Sequence, residues 1–331
     1  MITTADFESL TGYLDGVFNE TKTAKLAKSV GLNQIFDVKN SNKLVHTELL
    51  LHGDNPIKEV AEGADLPEST LEQGDTISWT QRYFGGKRVL TKKARKFTDW
   101  QGVKNGDLNW IATQLVKASI DNVDMSLADV LLNGWDTSYT DVYDSTVSAV
   151  GPDGLALFSA SHTNGVNSTT FSNIINDGTN NNPTLSRAAV VKERATAKRY
   201  KSVGGLSTPV NLDTLVVGPD LEDLAYRELH SNQIAGSANN DINPKPIKSI
   251  NIVTWDRLGS NSQGVDTSDF WFLMDSEEVK ETLKCKFSEK ITLDAPEQVY
   301  ANKNWEWTCD FFYSLGFSFA PYIRGSKGTN S

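Results

Sequence analysis

The strongest constraint on the fold of this chain lies near its C-terminus. Trp305, Trp307, Cys309, Phe311, Tyr313, Leu315, Phe317 and Phe319 are successive odd positions, all apolar or aromatic. The residues between them are mainly Glu306, Thr308, Asp310, Ser314, Gly316 and Ser318, with Phe312 and Ala320 as exceptions. A period of 2 sustained this long predicts a single strand with one buried face. At ~3.3 Å per residue the strand would span about 50 Å, against a usual strand of about 5–6 residues. A bend at Gly316 would shorten it.

A second long element has helical spacing. Leu108, Ile111, Ala112, Leu115, Val116, Ile120, Val123, Leu127, Val130 and Leu131 recur at i, i+3, i+4 and i+7. The spacing predicts a helix over 107–133, with Asp107 at its start and Gly134 at its end, about 40 Å long. One such helix and one such strand imply an elongated body, a shape that suits a tile better than a compact enzyme.

The remaining segments fit around these two. Residues 1–43 hold one amphipathic stretch, Phe7 to Phe18, behind possible caps at Thr3 and Thr4, and then read as irregular after Gly31. An arm with so little core must lie on its own body or on a neighbour. Leu44–Leu51 and about Thr76–Thr91 read as two strands, the second broken at Gly85–Gly86 by a bulge. Between them lies a long acidic connection, beyond the length at which loops are usually functional or disordered. A basic helix is predicted over Ser186–Ser202. Leu212–Val217 reads as a strand, Pro219 as the first residue of a helix reaching toward Ile234, and Ile247–Trp255 and Phe270–Met274 as further strands. Together they read as an inserted α+β unit.

Composition narrows the function classes. Acids outnumber bases, 42 to 32. A nucleic-acid reader needs the opposite balance, because phosphate neutralisation supplies most of its affinity. No stretch approaches the ~18 apolar residues of a membrane helix. The N-terminus lacks the basic and apolar regions of a secretory signal, which points to folding in a cytoplasm. Cys285 and Cys309 match no metal or disulfide spacing and read as buried apolar residues.

Catalytic chemistry finds little support. His46 and His52 share a strand face but lie about 20 Å apart by the strand rise. His162 follows Ser159 and Ser161, yet a triad also needs an orienting third group and an oxyanion hole, and there is no nucleophile elbow, so it reads as a hydrogen-bonded loop histidine. Asp121, Asp124 and Asp129 on the long helix read as a solvated face. Residues 136–144 carry spaced carboxylates without the glycine and terminal glutamate of a calcium loop. No cofactor, metal or catalytic residue is assigned.

The order of parts resembles the major capsid proteins of tailed bacteriophages, with the Hong Kong 97-type fold. EVAEGADLPESTLEQGDTISWTQRYFGGKRVLTKKA is similar to that family's E-loop, an acidic turn followed by a returning strand and a basic exit. DGLALFSASHTNG, residues 153–165, and LVVGPDLEDLA, residues 215–225, resemble two further stretches of the family. The resemblance runs from about residue 5 to residue 325. It implies an α+β Hong Kong 97-like capsid fold in five parts. These are an N-terminal arm (1–43), the E-loop hairpin with flanking strands (44–103) and a peripheral domain with a spine helix (104–205). An axial domain (206–285) follows, then a return to the peripheral domain with the long strand and tail (286–331). Some relatives begin with a cleaved scaffolding segment; here the chain starts almost at once with the arm, so the resemblance implies either a separate scaffold or a mature form, and Met1 favours the first.

What the resemblance implies is a shell protein of the virion, assembled in the host cytoplasm, that forms hexamers and pentamers and encloses double-stranded DNA without reading its sequence. Scaffolding, portal and possibly decoration proteins are the implied partners. Candidate inter-subunit contacts are Phe7 on the arm; Lys58, Glu59, Glu62, Asp65, Glu68 and Glu72 on the acidic loop; Arg187, Arg194, Lys198 and Arg199 on the basic helix; and Asn239 and Asn240 at the implied symmetry axis. The basic helix could instead be a solvated face or touch DNA. The alternative reading is a soluble α+β binding module, or another virion part, with the C-terminal aromatic stripe stacking on ligands.

Overall fold

In the computed structural model the two long elements lie against each other, and the rest of the chain is arranged on them. The structure describes residues 4–52, 57, 59–66, 72–93, 108–163, 170–202, 206–233, 241–243, 245–294 and 297–329.

Helix α1 (Thr4–Leu26) opens the chain and a π-helical turn follows at Gly31–Ile35. Strand β1 (Asp37–Asn40) comes next, where the sequence reads as irregular. Its regularity comes from a partner far along the chain. Asp37–Asn40 pairs in parallel with Lys284–Phe287. The arm lies on its own body: Leu14 and Phe18 are buried in the main core. Strands β2 (Val45–His52) and β3 (Glu72–Thr80) form a separate two-stranded hairpin. Strand β4 (Arg82–Leu90) follows at once. The break in the second strand region therefore falls at Gln81. Gly85 and Gly86 continue in register opposite Asp310 and Cys309 with no bulge. They serve close approach instead: a Cβ on Gly85 would sit 3.3 Å from that of Asp310.

Helix α2 (Leu108–Leu132) has 25 residues, about 37 Å at the helical rise. The predicted cap Asp107 lies outside the described residues. The small hairpins β5–β6 (Ser138–Thr140, Thr146–Ser148) and β7–β8 (His162–Thr163, Thr170–Phe171) follow. Helix α3 (Arg187–Ala197) is shorter than its basic run suggests. Ser186 caps it, its Oγ accepting from Ala189 N at 3.3 Å, as an N-cap serine should.

Strand β9 (Thr214–Val217) leads into helix α4 (Pro219–Ala225), extended by a π-helical turn to His230. Ile234 lies outside the described residues. Helix α5 (Lys245–Lys248) takes in Ile247 and Lys248, which were expected to be extended, so strand β10 is only Asn251–Thr254. Strand β11 is Trp271–Met274 and helix α6 is Val279–Thr282. Strand β12 (Leu283–Leu293), which the sequence reading did not single out, is followed by β13 (Glu297–Gln298). The long strand β14 (Trp305–Phe317) has 13 residues, about 43 Å. Gly316 does not bend it but pairs with Lys284 inside the ladder. Phe319 leaves the ladder and packs against the second core. Strand β15 (Ile323–Ser326) ends the described fold.

Two sheets carry the architecture. The larger runs β1–β12–β14–β13, with β4 on the other side of β14; the smaller runs β10–β9–β11–β15. The aromatic stripe of β14 is buried, through Trp307, Phe311, Tyr313 and Phe317, in the core it shares with α1 and α2. The small sheet has cores on both faces. Val216, Phe272 and Met274 belong to the main core, and Leu215, Val217, Trp271 and Leu273 to a second one that also holds Ala189 and Val190 of α3. A strand covered on both sides has no polar face, which explains the unbroken apolar runs TLVV and WFLM.

Candidate functional site

The feature most exposed beyond the body is the connection between β2 and β3. Residues 61–66 are all exposed, Ile57 is wholly so, and Leu66 is 85% exposed. Two bare apolar side chains flanking Glu59, Glu62 and Asp65 have no core of their own to enter.

The base of this hairpin, by contrast, is anchored tightly. Trp79 is buried, and its indole lies directly over Gly316 of β14. A Cβ at position 316 would fall 1.7 Å from Trp79 Nε1. Lys286 Nζ sits 5.7 Å from the Trp79 ring centroid. Gln81 Nε2 donates to Lys286 O at 3.2 Å, and Arg82 pairs with Asp141 at 2.5 Å. Burial pushes the Asp141 carboxyl up. The Arg82 hydrogen bond and the N–H groups of Ser145 and Tyr143 overrule that and hold it below the ordinary range.

A buried ammonium joins the parts. Lys284 Nζ lies 3.7 Å from Asp37 on β1, 4.0 Å from Glu48 on β2 and 3.4 Å from Glu281 on α6. Arm, hairpin and body thus share one counter-ion. Glu48 Oε2 is buried without a hydrogen-bond partner and Asp37 Oδ2 is met by Lys39 Nζ at 2.8 Å, so the charges of Lys284 and Lys39 together offset the carboxylates.

The acidic stripe on α2 is not a solvated face. Asp124 accepts from Ser29 Oγ at 2.6 Å and from Arg257 Nε at 3.2 Å, while Asp121 pairs with Arg257 at 2.5 Å. Asp129 accepts from Ser262 N at 2.9 Å, and Asn133 Oδ1 from Asn261 Nδ2 at 2.9 Å. Positions 121, 124, 129 and 133 are spread over half of the helix's circumference. They clamp the long helix to the loop after β10. The sequence signal was the spacing; the missing piece was a loop distant in sequence.

Burial pushes the Asp129 carboxyl up to about 6, with nearby Asp141 adding to the effect and the Ser262 hydrogen bond opposing it. The folded state therefore holds this proton more tightly than the unfolded chain, whose carboxyl titrates near the ordinary 3.8. Its contribution to stability is full below about pH 4 and is lost as pH rises through about 6. Asp129→Asn keeps an acceptor for Ser262 and removes the buried charge. We expect it to raise stability by about 2 kcal/mol at pH 7.5 and to change little at pH 4. Urea melts at the two pH values check this, and an equal effect at both would refute the assignment.

His162 is committed within its loop. Its Nδ1 lies 2.6 Å from Asp153 Oδ2 and its Nε2 3.1 Å from Leu157 O. A carbonyl can only accept, so Nε2 donates, and neither nitrogen is available as a base for Ser159 or Ser161. The aromatic stripe of β14, buried against α2, presents no stacking surface to a ligand.

The other candidate residues fall as follows. Lys58, Glu68, Asn239 and Asn240 lie outside the described residues, as do the side chains of Phe7 on α1 and Glu72 at the start of β3. Glu59, Glu62 and Asp65 are exposed, as are Lys198 and Arg199 just beyond α3. Arg187 is turned inward: its Nε donates to Asn243 Oδ1 at 3.1 Å. Burial, partly offset by Asp213, lowers the Arg194 guanidinium from its ordinary value. Among the described residues no ion pair joins Glu59, Glu62 or Asp65 to Arg187, Lys198 or Arg199 within the chain.

No family model matches the sequence, and no curated protein is similar to it at the level of sequence. Solved structures are similar in fold. The capsid of cyanophage P-SCSP1u matches with a TM-score of 0.53 at 8% identity, over 90% of this chain and 88% of that one. The capsid of Ralstonia phage GP4 matches at 0.53 and 13% identity, over 88% and 86%. The mature capsid of bacteriophage PhiM1 matches at 0.52 and 13% identity, over 90% and 86%. The chain has the α+β fold of the Hong Kong 97-type phage capsid proteins, as its order of parts led us to expect.

Proposed function

We propose that the chain is the major shell subunit of a tailed-phage type of particle. It assembles through hexamers and pentamers into an icosahedral shell around double-stranded DNA, which it contains without reading its sequence. The observation that carries this reading is the hairpin: a rigidly anchored base, through Trp79 and Lys284, under a tip with bare apolar side chains. Such a tip is useful only when a second molecule covers it.

In this reading residues 1–43 are the arm, 44–103 the E-loop region, 104–205 and 286–331 the peripheral domain, and 206–285 the axial domain. Phe7 and the acidic residues Glu59, Glu62, Asp65, Glu68 and Glu72, with Lys58 among them, meet a neighbour. Arg194, Lys198 and Arg199, with Arg187, form the basic counterpart, because opposite charges across a contact steer encounter and fix register. Asn239 and Asn240 crowd the symmetry axis. Each contact is weak alone and avidity over many holds the shell. Scaffolding, portal and decoration proteins are its partners in the virion, which is assembled in the host cytoplasm.

Deletion of residues 55–73 is expected to leave a folded monomer and abolish assembly. Electron microscopy of the purified chain, with and without the deletion, tests it. Closed shells or rings of five and six from the wild type, absent from the deletion, support the reading; normal shells from the deleted chain overturn it.

A further inference from the structure

The tip of the β2–β3 hairpin has a defined shape. Ala64 N donates to Ala61 O at 3.0 Å across a tight turn, and Gly63 supplies the positive φ of 81° that the turn requires. Leu66 follows the turn and is 85% exposed. Glu59, Glu62 and Asp65 are exposed and make no ion pair among the described residues. The tip therefore offers one bare apolar side chain beside uncompensated negative charge.

A seat for it must be partly apolar and positive at the rim. The larger cavities do not qualify. The cleft of about 450 Å³ at the hairpin's base is lined by Asp129 and Asp141 against Arg82. A pocket of about 230 Å³ beside α2 is lined by Asp129 and Asp256 against Arg257. Another of about 230 Å³ has Lys280 in its wall, but Glu277, Glu278 and Glu281 surround that lysine in sequence.

The outer face of α3 does qualify. Ala189, Val190, Glu193 and Ala197 form the helix's buried side. At about 100° per residue, Ala188 and Ala195 then fall at the centre of the opposite side, and both are exposed. Val191 and Lys198 stand along one edge of the alanines, Lys192 and Arg199 along the other. Two small residues between two rows of longer ones make a shallow channel. Val191 is 39% exposed. Lys192 donates to Asn176 Oδ1 at 3.3 Å. Lys198 and Arg199 are exposed and make no ion pair among the described residues. Arg187 and Arg194 lie beyond the Val191 edge, toward the body.

We propose that the hairpin tip of one copy docks in this channel on a second copy, with Leu66 between Val191 and Ala195 and the tip carboxylates against Lys198 and Arg199. The proposal rests on the shell reading for its second copy, and it narrows the basic counterpart to the exposed end of α3. Lys198 and Arg199 lie about 4.5–6 Å beyond Ala195 along the helix axis, within reach of Asp65 when its neighbour Leu66 is seated. The apolar contact forms the centre, and the ion pairs around it fix the register. Tip and channel are different patches, so the contact runs head to tail, the kind that closes rings.

A fluorescent peptide of residues 57–67, titrated onto the full chain as a monomer, is the first test. Saturable binding is expected. Leu66→Ser in the peptide should weaken it about tenfold. Lys198→Glu with Arg199→Glu in the chain should weaken it by about tenfold or more, and a peptide carrying Glu62→Lys and Asp65→Lys should bind that variant better than it binds the wild type. Both changed positions are exposed, and circular dichroism checks that the variant is folded. Absence of saturable binding, or no preference of the reversed peptide for the reversed chain, overturns the proposal. In assembled particles a mixture of Leu66→Cys and Ala195→Cys chains should form an inter-chain disulfide; both native cysteines are buried. Normal shells from Lys198→Glu, Arg199→Glu chains would sink the docking proposal and leave the shell reading standing. Charge-reversible peptide binding by a chain that never forms shells would do the reverse.

Discussion

Gly316→Ala is expected to unseat the hairpin. The added methyl would overlap the indole of Trp79, with Nε1 at 1.7 Å, Cδ1 at 2.1 Å and Cε2 at 2.4 Å. Neither side can yield cheaply. Gly316 is held inside the β12–β14 ladder opposite Lys284, and an indole is rigid. The ring must leave its seat, and losing a buried tryptophan's packing costs about 3–5 kcal/mol. We expect a loss of about 3 kcal/mol, because the ring keeps part of its cover elsewhere. Chemical denaturation measures the loss. Limited proteolysis should show earlier cutting within the hairpin, and assembly should fail. The double-mutant cycle is decisive: in a Trp79→Ala background Gly316→Ala should cost almost nothing. Additive costs would mean that the glycine serves some other purpose.

Lys284→Met has the second large expected effect. Methionine replaces the aliphatic stem and removes the ammonium, leaving Asp37, Glu48 and Glu281 to face one another. Removing one partner of a fully buried pair costs about 3–5 kcal/mol. Here Glu281 is mostly exposed and Glu48 partly so, and Lys39 remains 2.8 Å from Asp37. Solvent screening and that second lysine reduce the expected cost to about 2–3 kcal/mol. Adding Glu48→Gln should restore part of it. Equilibrium unfolding of the single and double variants gives the comparison. A Lys284→Met chain as stable as the wild type would show that the three carboxylates have no need of it.

The elements legible in sequence were those whose periodicity reports a single local fact. The stripe on β14 and the apolar face of α2 needed only one covering partner each, and both appear where the spacing put them. Strand β1 was illegible because nothing in DVKN marks it; a partner 247 residues away makes it extended. Ile247 and Lys248 misled for the converse reason. Ile247 suits either state, and a local helical turn prevailed. The aspartates on α2 show the limit most clearly. A charged stripe on a helix is solvated unless something covers it, and the cover is a loop whose position only the fold decides. The anchorage of the hairpin was likewise out of reach, since Gly316 and Trp79 are far apart in sequence and neither is unusual alone.

The placement of β1 and β15 also governs when a subunit can exist. Asp37 is made early, but its ladder partner Lys284 follows only after most of the chain, and the small sheet waits for Ile323–Ser326. At about 5–20 residues per second, the arm strand stays unpaired on the ribosome for roughly 12–50 s. A chain truncated before residue 323 would lack the outer strand of one sheet. Synthesis itself therefore acts as a checkpoint: the two sheets are completed only after residues 284–287 and 323–326 have been translated.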